Sequence, residues 1–121
     1  MKTVLSVDDS ASIRQMVKLT LSGAGYQVVE AENGAEGLQK AQAAPVNMIV
    51  TDLNMPVMDG LSFIREVRKL AAYKGVPILF LTTESDAGLK SEAKAAGATG
   101  WITKPFKQEQ LIAIAQKVLG K

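Results

Sequence analysis

The sequence predicts a doubly wound α/β fold, a five-stranded parallel sheet in the order 2-1-3-4-5 with helices on both faces, and three observations carry that expectation. Short β-rich runs alternate with longer stretches of helical period five times over, the pattern of consecutive βα units. The third β-rich run, Met48 to Asp52, is almost wholly apolar, as a strand covered on both faces has to be. The length, 121 residues at 47% hydrophobic and 21% charged, suits one compact core and leaves no room for a second functional domain, so residues 1–121 are expected to form a single domain.

The first strand is Thr3 to Val7, and Ser10 stands where a helix N-cap belongs, ahead of Ile13, Met16, Val17, Thr20 and Leu21 on one helical face. Gly23 and Gly25 end that helix. Gln27 to Ala31 is the second strand; Asn33-Gly34 opens a helix through Leu38 that Pro45 stops. After the third strand, Leu53 to Met58 form a loop, and a helix follows from about Asp59 to Ala72 with Leu61, Ile64, Val67 and Ala71 facing inward. Pro77 to Leu81 is the fourth strand, and Asp86 to Ala96 an Ala-rich helix whose main apolar anchor is Leu89, so it is expected to pack lightly. Gly100 to Thr103 is a short fifth strand, and Leu111, Ile114, Ala115 and Val118 mark the last helix.

Composition excludes several function classes. A net charge of +2 without a basic block lacks the electrostatic footprint of a nucleic-acid binder. With no cysteine there is no disulfide framework, thiol nucleophile or thiolate metal site. With no histidine there is no Ser/His triad, no His-ligated zinc and no phosphohistidine in this chain, so any histidine phosphodonor belongs to a partner. No apolar run approaches the ~20 residues that span a bilayer, and Met1-Lys2-Thr3-Val4-Leu5 leads directly into Ser6-Val7-Asp8-Asp9. A cytoplasmic monomer is the expectation.

In a sheet of this order, ligands bind outside the carboxyl ends of the strands where the order reverses, here between strands one and three. Strand one ends in Asp8-Asp9, strand three in Asp52, strand four in Thr82-Thr83, and strand five leads to Lys104-Pro105. Three carboxylates in one cleft repel one another unless a cation joins them. Mg²⁺ suits such a cleft, because it takes oxygen ligands and keeps several waters. With the metal and Lys104 screening the oxygens, Asp52 could attack an incoming phosphoryl group and form an acyl phosphate, to which the Thr82 hydroxyl donates a hydrogen bond.

The runs Val7-Asp8-Asp9-Ser10, Asp52-Leu53-Asn54-Met55-Pro56-Val57-Met58-Asp59-Gly60, Leu81-Thr82 and Lys104-Pro105-Phe106 together resemble the response-regulator receivers, specifically the CheY-like chemotaxis type with its flavodoxin-like (βα)5 fold. The resemblance spans essentially the whole chain. It implies that Asp52 is the phosphoacceptor, that Asp8 and Asp9 hold Mg²⁺ with Asp52, and that Asn54 contributes a backbone carbonyl to the metal. It further implies that Thr82 and Lys104 contact the phosphoryl group, that the Lys104-Pro105 bond is cis, and that Asn54 and Glu84 tune the access of hydrolytic water. The chain departs from the pattern at Trp101, where the family usually carries a switch Tyr or Phe. A partner histidine kinase of the CheA kind as phosphodonor, and a flagellar motor switch protein or a phosphatase as reader of the face made by the fourth helix, fifth strand and fifth helix, are also implied.

Each residue has an ordinary reading as well. Asp8 and Asp9 could be solvated loop acids, Asp52 a turn aspartate, Asn54 a turn former, Thr82 a β-branched strand end, and Trp101 a packing aromatic. Gly60 serves the turn. Lys90, Lys94 and Lys107 could dock an acidic partner or form a solvated face. An aspartyl-nucleophile phosphatase is the enzymatic rival, but it would carry a second acid two residues past Asp52, where Asn54 stands, so the chain is not expected to turn over outside substrates. A flavodoxin-like cofactor carrier would need a Ser, Thr or Gly phosphate cradle in place of Asp8-Asp9. The final helix closes at Leu119-Gly120-Lys121 without linker composition, which favours a stand-alone protein over a receiver excised from a larger regulator; a phosphate sink remains a third role for the same chemistry.

Overall fold

Five strands hydrogen-bond in parallel in the order β2-β1-β3-β4-β5 in the computed structural model, which describes residues 2–120. Met1 and Lys121, the two ends of the expected single domain, lie outside the described residues. The strands are β1 Thr3–Val7, β2 Gln27–Ala31, β3 Met48–Thr51, β4 Ile78–Thr82 and β5 Gly100–Thr103. The helices are α1 Ala11–Gly23, α2 Gly34–Ala43, α3 Gly60–Arg68, α4 Ala87–Ala96 and α5 Gln108–Leu119. The doubly wound expectation is met in strand order and in element count. No helix among the described residues is long and apolar enough to cross a membrane.

Alternation along the strands divides the core into two layers. Leu5, Val7, Ile49, Ile78 and Phe80 face α2, α3 and α4, where they pack with Ala41, Phe63, Ile64, Val67 and Ala93. Val4, Met48, Val50, Leu79, Leu81 and Ile102 face α1 and α5, packing with Val17, Leu21, Leu111 and Ala115. Both faces of β3 and β4 are therefore covered, which is why those strands are apolar at nearly every position.

The helices start where their caps allow. Ser10, Asn33, Asp59 and Asp86 each accept a hydrogen bond from the backbone N–H three residues on, at 3.4, 2.9, 2.8 and 3.0 Å. Each removes one orphan donor of a first turn. These polar stops pin the loops at the carboxyl rim of the sheet, because every helix begins there.

Several boundaries differ from the sequence reading. β3 ends at Thr51, so Asp52 is the first residue beyond the strand, and β4 begins at Ile78 and includes Thr82. α3 stops at Arg68 rather than Ala72, because Lys69 and Leu70 make the tighter i→i+3 bonds to Glu66 and Val67 and the chain then enters a 3-10 turn over Ala71–Tyr73. Ala71 is consequently exposed; the core position falls to Tyr73, whose buried hydroxyl donates to the Ala41 carbonyl at 2.6 Å and accepts from the Val46 N–H at 3.2 Å. Met16 also points outward, 43% exposed, since Val17, Thr20 and Leu21 already fill the stripe that meets the sheet. α4 buries only Ala93, as its composition suggested, but its C-terminal end is held: Arg68 donates to the Gly97 carbonyl through Nη2 at 2.7 Å and Nε at 3.1 Å.

At Gly60 the first turn of α3 runs against the end of β3. A Cβ there would lie 2.2 Å from the Asp52 carbonyl oxygen and 2.7 Å from the Phe80 ring, so the glycine is required by close approach, not only by the turn. Gly60→Ala is expected to cost about 3 kcal/mol by displacing backbone, read as a lower urea midpoint in equilibrium unfolding; an unchanged midpoint would show that the contact yields freely.

Candidate functional site

Register brings the acids together. Val7 pairs with Thr51, so β1 and β3 end level and Asp8 and Asp52 leave the sheet side by side. The Asp52 N–H still donates to the Val7 carbonyl at 2.9 Å, and the Asp8 N–H to the Ala31 carbonyl at 3.0 Å, which prolongs both ladders by one residue on the sides facing their neighbours. One carboxylate oxygen from each of Asp8, Asp9 and Asp52 lies within 4.8 Å of the others. Asp8 is buried, Asp52 is nearly so at 9% exposed, and Asp9 is exposed, so the cluster opens to solvent on one side.

Lys104 supplies the opposing charge. Its backbone N–H donates to the Thr82 carbonyl at 2.7 Å and its bond to Pro105 is cis, as the family resemblance implied. Its Nζ stands 2.9 Å from Asp8 Oδ2 and 3.7 Å from Asp52 Oδ1. Asp52 Oδ1 also accepts from the Leu53 N–H at 2.8 Å, and Asp8 Oδ1 from the Ser10 N–H at 2.9 Å. These bonds orient the carboxylates, yet they do not make ionisation easy. Burial, and then the charge of Asp8, hold the Asp52 carboxyl above its ordinary value, only partly offset by Lys104, the Leu53 N–H and the Thr82 hydroxyl.

Thr82 is buried at the end of β4, and its Oγ1 accepts from the Glu84 N–H at 3.3 Å. Beyond it the loop turns outward. Glu84 Oε2 accepts from Asn54 Nδ2 at 3.3 Å, so the two residues assigned to water access are joined to each other across the mouth of the site. Trp101 on the edge strand β5 is half-buried, tilted at 47° on Phe80 with ring centres 5.4 Å apart. Its indole N–H donates to the Glu84 carbonyl at 3.0 Å, which links the aromatic directly to the loop that follows Thr82. Lys90 Nζ lies 5.9 Å over the indole, while Lys94 and Lys107 are exposed.

The structure therefore brings Asp8, Asp9, Asp52, Thr82 and Lys104 to one rim, and arrays Asn54, Glu84 and Trp101 around it. Sequence reasoning overlooked two contributors. The Leu53 N–H leaves no trace in side-chain identity. Arg14, whose Nη1 donates to the Asp8 carbonyl at 2.6 Å, looks in the sequence like any helical surface arginine.

A parallel sheet of this order with an acidic, lysine-bridged cluster at its switch point defines the receiver class of signalling domain. The chain belongs to the response regulator receiver domain family, which matches residues 4–116. Among its relatives it is similar to chemotaxis protein CheY1 of Helicobacter pylori, 40% identical over 119 residues, covering 97% of this chain and 96% of that protein. The structure superposes on chemotaxis protein CheY4 of Vibrio cholerae with a TM-score of 0.94 at 53% identity, over 98% of each chain. It also matches the receiver domain of a Pseudomonas aeruginosa sensor histidine kinase, solved with a magnesium ion coordinated in its active-site cleft, with a TM-score of 0.91 at 29% identity over 99% of this chain and 98% of that one.

Because the folded state holds the Asp52 carboxyl above its ordinary value, the unfolded chain releases that proton first, and stability falls as pH rises from the unfolded toward the folded value. Asp52→Asn removes the penalty. In metal-free buffer the variant is expected to melt above the wild type at pH 7, with the gap closing at about pH 3 where the carboxyl is protonated in both states. A thermal melt showing the same gap at both pH values would contradict this cause.

Proposed function

We propose that this chain is a phosphorylation-activated regulator of a two-component chemotaxis pathway, which takes a phosphoryl group from a partner histidine kinase onto Asp52. The observation that carries the reading is the Lys104 ammonium set between Asp8 Oδ2 and Asp52 Oδ1, one cation shared by two buried acids at the switch point of the sheet. The family and the similarity to the Helicobacter and Vibrio chemotaxis proteins support it.

In the transfer, an oxygen of Asp52 forms a bond to phosphorus as the bond from phosphorus to the donor's imidazole nitrogen breaks, leaving an aspartyl phosphate. Asp52 is held for attack by the Leu53 N–H on Oδ1. Lys104 follows the developing charge, and the Thr82 hydroxyl lies beside the carboxylate to donate to a phosphoryl oxygen. Asp8, Asp9 and Asp52, with the backbone carbonyl of Asn54, are the groups that would hold Mg²⁺. Their donor set fits it, since the three carboxylate oxygens lie within one ion's reach and the chain has no histidine or cysteine to compete with them. When bound, the ion supplies the charge neutralisation that the carboxylates and the arriving phosphoryl group both need. The magnesium-bearing Pseudomonas receiver supports this assignment.

Asn54 in the place of a second acid speaks for a regulator that catalyses only its own phosphorylation and dephosphorylation. The phosphoryl group adds about two negative charges beside Thr82. Thr82 turning toward them gives up its contact with the Glu84 N–H, and Glu84 is the residue whose carbonyl holds Trp101. The signal then leaves through the face of α4, β5 and α5 to a motor switch protein or a phosphatase, with the chain acting as a cytoplasmic monomer.

Acetyl phosphate with Mg²⁺ is expected to label the wild type and not Asp52→Asn, with the label lost within minutes rather than hours because Asn54 and Glu84 are polar and leave water access. Phosphate release in a coupled assay measures both. Labelling of Asp52→Asn, or a lifetime of hours, would count against the reading. Beryllofluoride with Mg²⁺ should change the fluorescence of Trp101, the only tryptophan, and enrich an output partner in a pull-down; a phosphate sink would show the first effect without the second.

A further inference from the structure

Arg14 lies on α1, where Gln15, Met16, Lys18 and Leu19 around it are exposed, yet its own side chain is only 14% exposed. The guanidinium bridges two elements. Nη1 donates to the carbonyl of Asp8 at 2.6 Å, and Nε donates to Glu30 Oε1 on β2 at 3.2 Å. Glu30 is in turn held from outside: Lys18 Nζ stands 3.7 Å from its Oε2, and Lys40 Nζ donates to its carbonyl.

The bond to Asp8 falls at a sensitive point. Asp8 is the first residue beyond β1; its N–H is still in the ladder with Ala31, but its carbonyl takes its hydrogen bond from a side chain. A trans peptide is planar, so fixing the carbonyl of Asp8 also fixes the direction in which Asp9 leaves the strand. Asp9 is exposed, and among the described residues its carboxylate accepts no hydrogen bond, so its aim depends on its backbone. An arginine fork is suited to this task, since it can hold a carbonyl and a carboxylate at once in a rigid plane.

We propose that Arg14 is a positioning residue for the metal-binding acids: through its bond to the Asp8 carbonyl it fixes the Asp8-Asp9 peptide and presents the Asp9 carboxylate toward Asp8 and Asp52. The inference rests on the Mg²⁺ reading of that cluster. Outer-shell groups that orient ligands commonly set metal affinity by an order of magnitude or more. The rival role, a plain ion pair tying α1 to β2, predicts that loss of either partner has the same effect.

Calorimetric Mg²⁺ titration separates the two. Arg14→Gln is expected to weaken Mg²⁺ binding roughly tenfold, Arg14→Lys to recover part of the loss, and Glu30→Gln, which leaves the bond to the Asp8 carbonyl in place, to stay within about twofold of wild type. In metal-free protein, hydrogen exchange at the Ser10 amide, which donates to Asp8 Oδ1, should quicken in Arg14→Gln while Val4 and Leu5 keep their protection. Unchanged Mg²⁺ affinity in Arg14→Gln, or an equal loss in Glu30→Gln, overturns the proposal. If the wild type itself took up no Mg²⁺, the acidic-site reading would fail separately, and exchange at Ser10 alone would decide the clamp: faster exchange upholds it and unchanged exchange overturns it.

Discussion

Two buried carboxylates share one ammonium, and most of what is particular to this molecule follows from that imbalance. Lys104 reaches Asp8 and Asp52 at once, but one positive charge cannot neutralise two acids and the exposed third beside them. The surplus is tolerable only because the cluster opens to solvent at Asp9 and because backbone N–H groups of Leu53 and Ser10 take part of the load. A site in this condition favours any ligand that brings positive charge, and then any that spreads the remaining negative charge outward. Burial of Asp52 and the charge of Asp8 are what hold its carboxyl above the ordinary value in the absence of such a ligand.

The architecture places that imbalance next to parts that can move. Leu5, Val7, Ile49 and Phe80 make a rigid floor, whereas α4 contributes little more than Ala93 to the core. Arg68 ties the far end of α4 through the Gly97 carbonyl, and its near end follows the exposed or half-exposed loop of Thr83, Glu84 and Ser85. Trp101 is bonded to that loop and not to the acids. Thr82, at the same rim as Asp52, is joined to Glu84, and Glu84 to Trp101, by hydrogen bonds that connect the rim to the edge of the sheet.

Much of this was legible in the sequence. Apolar runs of strand length separated by helical periods require alternating layers, and Ser10, Asn33, Asp59 and Asp86 announce their helices by capping chemistry that depends on local geometry alone. Asp8, Asp9, Asp52, Thr82 and Lys104 could be placed at one rim because strand ends in a parallel sheet share a side. Ala71 was misread for a physical reason: helical periodicity does not say where a helix stops, and the i→i+3 bonds at Lys69 and Leu70 rotate the chain so that Tyr73 takes the buried place. Met16 was misread because a stripe one residue too wide looks the same in sequence as one of the correct width.

What the sequence determined by itself is the inventory and its order: the strands and helices, the acids and the lysine at their ends, and the absence of histidine and cysteine that removes imidazole and thiolate ligands. Only the tertiary structure decided how far Lys104 reaches, that Asn54 bonds Glu84, that the Trp101 indole N–H bonds the Glu84 carbonyl, and that Arg14 turns inward onto the Asp8 carbonyl. The division has one cause. Periodicity and caps are set by neighbours a few residues apart, which the chain carries in its order, whereas these contacts join groups from different elements, whose distances exist only once strand register has been set.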